Sequence, residues 1–192
     1  CTRGRLSLNP LKHLDPMGSL CMLVFGYGWA KPVPVNTRHF RKPRRDFALT
    51  SFAGPMMNFI VALVSAFIYM LVYHIALYNG IFNMTIQAIL LVFEYSLILN
   101  VGLGLFNLIP LPPLDGSNIV MCLLPNNLAA KYSKLRYYSR YIFLGLILLQ
   151  YVPVLSFIPD LIFVPLSYLR MIITGGFMNL ADIVISPIFA NM

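Results

Sequence analysis

The segment Asn107 to Gly116 reads Asn-Leu-Ile-Pro-Leu-Pro-Pro-Leu-Asp-Gly, and its carboxylate, Asp115, follows three prolines at the end of a lipid-compatible run. Such a carboxylate can ligate a divalent metal, carry a proton or close a surface turn. Proline removes a backbone donor and clashes with the preceding turn, so a helix arriving from Met84 must break at Ile109 or soon after. Broken backbone at membrane depth survives only inside protein or beside a wet cavity, and a carboxylate left in lipid costs about 3 kcal/mol or more. Asp115 is therefore expected to face a polar site inside the protein. The alternative is a loop at the membrane surface, capped by a Pro-Leu-Asp-Gly turn.

Hydrolytic zinc sites often combine two histidines with one carboxylate and leave a position for water. The histidines are His13, His39 and His74, and none lies in an H-x-x-x-H pattern. His74 falls near the far end of the first long apolar run, so pairing it with Asp115 would require bridging most of a bilayer. His39 stands between Arg38 and Arg41, which repel a cation. His13 with Asp15 is the better accessory pair, although a His beside an Asp in a turn also serves structure. Glu94 lies inside the second apolar run, where it could line a proton or ion path or bond a neighbouring helix. Gly102 and Gly104 suit close helix packing. No P-loop, dinucleotide-binding or serine-nucleophile pattern occurs.

The elements that must position these groups are membrane helices. Apolar residues make up 59% of the 192 and charged residues 10%, far from the quarter charged in a soluble domain. No Asp, Glu, Lys or Arg occurs over the 47 residues from Phe47 to Phe93, long enough for two spans of about 20 residues. The net charge of +8 is clustered beside the apolar runs, which argues for a cytoplasmic membrane face and against nucleic acid. Cys1, Cys21 and Cys122 show no C-x-x-C spacing, so neither a disulfide framework nor a cysteine zinc site is expected.

The expected fold is an all-α polytopic membrane protein, a helical transmembrane bundle with a short re-entrant or tilted element over Met17 to Ala30. An extended cytoplasmic-side loop follows over Lys31 to Asn36, where alternate prolines forbid helix. Two clear spans cover about 52–73, opened by Gly54-Pro55, and about 84–109, separated by a break at Tyr78-Asn79-Gly80. Further spans are expected over about 141–158 and 160–173, with Pro153, Pro159 and Pro165 limiting regular helix. The basic loops 31–45 and 131–140 both read as cytoplasmic. The tail from Thr174 is undecided by pattern.

Taken in order, the motifs resemble the site-2 protease family, intramembrane zinc metalloproteases, in its compact bacterial form. The resembling residues are Leu8-Asn9-Pro10-Leu11-Lys12-His13-Leu14-Asp15-Pro16-Met17-Gly18, then Gly28-Trp29-Ala30-Lys31-Pro32-Val33-Pro34-Val35-Asn36, Phe40-Arg41 and Pro43-Arg44-Arg45. Ala53-Gly54-Pro55, Asn58, Phe106-Asn107-Leu108-Ile109-Pro110 and Pro113-Leu114-Asp115-Gly116 complete the set. The resemblance implies Zn2+ as cofactor, with Asp115 as third ligand beside two histidines and a general-base glutamate from an H-E-x-x-H helix. It also implies substrate-facing amides at Asn58 and Asn107. No H-E-x-x-H occurs in the sequence, and in the family it precedes the Asn-Pro-x-x-His-x-Asp-Pro segment. The expectation is a single peptidase core over 1–192, truncated just after that helix and inactive alone. The expected partners are membrane lipid and a transmembrane protein or peptide substrate, in a bacterial plasma membrane. The rival readings are a non-catalytic membrane scaffold, and an ion or proton transporter using Glu94 and Asp115.

Overall fold

The computed structural model describes residues 42–112, 114–150 and 157–190, together with Ser19 and Leu23. The chain divides into two compact units, Cys1–His39 and Phe40–Met192, and the description concerns the second. Its described residues form six helices: α1 Pro43–Asn79, α2 Met84–Asn107, α3 Asp115–Leu123, α4 Asn126–Tyr137, α5 Ser139–Gln150 and α6 Phe157–Ala190. The helices α1, α2 and the Asp160–Ala190 stretch of α6 are long and apolar enough to cross a membrane. The expected re-entrant element and the Lys31 to Asn36 strand lie outside the described residues.

Helix α1 begins at Pro43, twelve residues before the Gly54-Pro55 start expected from sequence. Proline at the first helical position loses no bond, since that N–H has no partner within the helix. The Lys42 N–H is met by Asp46 Oδ2 at 3.0 Å, and that closes the first turn. Pro55 is instead fully buried inside the helix. The far end is as expected: Gly80 takes φ 65° and ψ 22°, a left-handed conformation that favours glycine. Helix α2 is capped by the Asn83 side chain, which accepts from the Ile86 N–H at 2.9 Å.

The core lies where α1, α2 and α6 meet. Ala62, Ala66, Leu97, Val101, Leu105 and Ala181 are buried, with Phe59, Phe67 and Phe177 packed against them. Small residues let backbones approach closely, which is how helices associate where lipid removes the hydrophobic drive. A Cβ added at Gly104 would meet the Phe59 ring at 3.0 Å. Gly104→Ala is expected to be near neutral, because alanine's helix-propensity gain of about 1 kcal/mol offsets a crowding cost of similar size that the Phe59 ring can relieve by moving, and Tm should change by less than about 2 °C. One polar contact reinforces the seam, Ser65 Oγ to Ser96 Oγ at 2.9 Å. Outward positions such as Val92, Ile172 and Ile183 are 63–69% exposed, as a lipid-facing surface requires.

Helix α6 runs through Pro165, Gly175-Gly176 and Pro187 to Ala190. The sequence reading ends the last span near 173 and has the prolines limit regular helix. A single proline removes one hydrogen bond, and membrane helices tolerate that loss because the surrounding structure can satisfy the freed carbonyl. The second basic segment, read as a loop, is largely helical, since Lys131 and Lys134 sit on α4. Arg44, in the first turn of α1, donates to Asn126 Oδ1 at the start of α4. That bond ties the start of α1 to the start of α4.

Candidate metal centre

The site is built on the end of α2. The helix stops at Asn107, two residues before the expected break, because the residue before a proline is pushed out of helical geometry. A run of tight turns follows: Leu111 N–H donates to the Ile109 carbonyl at 2.8 Å, Leu114 N–H to Leu111 at 2.9 Å and Ser117 N–H to Leu114 at 3.1 Å. Pro112 is fully buried among these turns. Gly116 closes the structure by packing its Cα against the end of α2. A Cβ there would lie 2.2 Å from the Leu108 carbonyl oxygen and 2.5 Å from that of Ile109.

A side chain from α4 clamps the same turn. Tyr132 donates its hydroxyl to the Pro110 carbonyl at 2.7 Å, and burial pushes its phenol pKa up. Tyr132→Phe is expected to lower stability by about 1 kcal/mol, seen as a fall in Tm of about 2–4 °C. An unchanged Tm would show that the turn holds without its clamp.

Asp115 is the first residue of α3, where the positive end of the helix dipole favours a negative charge. The carboxylate is half-buried and touches α1: a Cβ added at Gly54 would lie 3.3 Å from Asp115 Oδ2. Burial holds its pKa above the usual carboxylate range. The carboxylate makes no hydrogen bond or ion pair with any described residue. Desolvation favours the protonated acid, so a bound cation would have to displace that proton and would in return satisfy oxygens that no described residue engages.

Asn58 is four residues along α1 from Gly54, hence on the same face, and half-buried. Asn107 ends α2 three residues after Gly104 and is also half-buried. Neither side chain hydrogen-bonds another described residue, so the interhelical bonds that would account for them structurally are not made there. Glu94 sits midway along α2, half-buried, with Tyr69 of α1 nearby. From Glu94 to Asn107 is about 20 Å of helix rise, so Glu94 and Asp115 do not share a site. His74 lies twenty residues from Gly54 on α1, roughly 30 Å away. It contacts Asp182 of α6 at 3.4 Å and the Met70 carbonyl at 2.9 Å. His13, Asp15 and His39 lie outside the described residues.

Sequence reading singles out Asp115 through its prolines, and names Gly54-Pro55 only as a helix start and part of the family pattern. The contact of Gly54 with the carboxylate has no signal in spacing. Tyr132 has none either, since one tyrosine on a polar helix looks like any other.

Residues 74–150 match Peptidase family M50. The chain is 43% identical over 145 residues to the Bacillus subtilis (strain 168) protein named "Putative zinc metalloprotease YwhC". That stretch is 75% of this chain and 65% of the relative, so the chain spans just under two thirds of the relative's length. No solved structure matches. Over residues 74–150 the chain is therefore similar to peptidase family M50, the site-2 protease family.

Zinc is the metal this family implies. Among the described residues no three His, Cys, Asp or Glu side chains converge. The described residues therefore do not make a complete zinc site, and Asp115 offers one oxygen donor toward one.

Proposed function

We propose that the whole protein is a zinc-dependent endopeptidase that cleaves peptide bonds within or next to membrane-spanning helices. The observation that carries this reading is the half-buried Asp115 carboxylate, bonded to no described residue and held at a broken helix end against Gly54. Asp115 is the third metal ligand, and the H-E-x-x-H helix implied by the family supplies two histidines and the general-base glutamate. Zinc, when bound, polarises a carbonyl and lowers the pKa of water toward about 7. The proline turn excludes regular helix beside the site and leaves carbonyls and a wet edge through which water and an unwound substrate can approach from the cytoplasmic side.

The amides of Asn58 and Asn107, which bond no other described residue, hold the unwound peptide and orient its carbonyl. The Lys31 to Asn36 segment pairs with the same peptide by strand addition, and normal cleavage after replacing Val33 and Val35 with proline would count against that pairing. The protein works in a bacterial plasma membrane with segments 31–45 and 131–140 at the cytoplasmic face, on transmembrane proteins or peptides. The test is purified full-length protein in liposomes with a transmembrane substrate. Cleavage stopped by a chelator and restored by zinc is expected. Substrate binding without cleavage would instead favour a scaffold, and ion flux lost on Glu94→Gln a transporter.

A further inference from the structure

A groove of about 460 Å³ lies between the first turns of α1 and the outer face of α3, within the size range of ligand sites. Its walls are apolar: Ala48, Leu49 and Phe52 from α1, Ile119 and Leu123 from α3. Two cations, Arg44 and Arg45, form the remaining rim. Among the described residues no carboxylate lines it. The nearest along the chain, Asp46, is engaged by the Lys42 N–H at 3.0 Å. Arg44 is anchored by Asn126, whereas Arg45 is exposed and makes no ion pair with any described residue.

The order of these groups along α1 matches the polarity profile of one membrane leaflet. Charge ends at Asp46, and the next 47 residues carry none, so Arg44 and Arg45 stand at headgroup level and Ala48 to Phe52 at the start of the hydrocarbon. A free anion would have no use for the apolar wall, and an uncharged lipid none for the arginines. We propose that this groove binds one anionic phospholipid, its phosphate on Arg44 and Arg45 and an acyl chain along Phe52, Ile119 and Leu123. The proposal rests on the helices crossing a bilayer and is independent of proteolysis. Because Ile119 is one turn beyond Asp115 on α3, the bound lipid braces the helix that carries the carboxylate.

The experiment uses full-length protein in neutral detergent, titrated with phosphatidylglycerol, phosphatidylcholine or glycerol 3-phosphate. Phosphatidylglycerol is expected to raise Tm by about 3 °C or more, and the other two to leave it unchanged. Arg44→Gln with Arg45→Gln removes the charge, Ala48→Phe fills the groove, and each should abolish the rise. If a variant does not fold, Cys122, which lines the groove, reports in otherwise native protein with Cys1→Ser and Cys21→Ser. Its alkylation should slow several-fold with phosphatidylglycerol only. Equal effects of phosphatidylcholine, a rise with glycerol 3-phosphate alone, a rise retained in the folded variants, or unprotected Cys122 would each overturn the proposal.

Discussion

Asp115→Ala in the full-length protein is expected to abolish zinc-dependent cleavage while leaving the bundle folded. Removing even an outer-shell partner of a metal ligand costs roughly 10–100-fold in metal affinity or activity, so loss of a ligand itself should exceed that. The fold tolerates the change because the carboxylate bonds no described residue and its burial opposes ionisation. Truncating it removes a desolvated charged group without orphaning a partner. Tm should therefore stay level or rise in the metal-free protein, while zinc content falls. A variant that loses activity by unfolding would give Asp115 a structural role instead.

The largest structural effect is expected one residue further on. Gly116→Ala puts a methyl carbon 2.2 Å from the Leu108 carbonyl oxygen. Here the obstacle is backbone, which cannot swing aside as the Phe59 ring can beside Gly104. The end of α2 and the start of α3 must separate, at a cost of about 3 kcal/mol, the upper end of overpacking penalties. That corresponds to a fall in Tm of about 6–12 °C, and zinc affinity should fall with it because Asp115 rides on the same turn. Gly145→Ala and Gly175→Ala supply the contrast. A Cβ at either meets nothing within 4 Å, and alanine is the better helix former by about 1 kcal/mol. Equal losses at all three glycines would show that the close approach at Gly116 is not what fixes the turn.

The features that local chemistry decides were legible in the sequence. Gly80 ends α1 because a left-handed residue is needed there, and Pro110 ends α2 because its predecessor cannot stay helical. Both act over a few residues. Two prolines inside long helices differ from expectation for the same reason: Pro55 and Pro165 disfavour helix locally, but packing and neighbouring turns decide whether it continues. The Asp115 site was half legible. Its carboxylate is marked by the prolines before it, whereas its fit against Gly54 and the clamp from Tyr132 join residues far apart in the chain. His74 could be set apart from Asp115 by helix rise alone, yet its contact with Asp182 depends on how α6 lies against α1, which no periodicity records.

We propose that the Asp115 carboxylate binds the catalytic zinc, and X-ray absorption at the zinc edge reads that bond in full-length protein with Cys1, Cys21 and Cys122 replaced by serine. Asp115→Cys then introduces a sulfur at the one position under test. A zinc-bound oxygen at about 2.0–2.2 Å is expected to be exchanged for a sulfur at about 2.3 Å. Bound zinc whose first shell is unchanged by the substitution would contradict it.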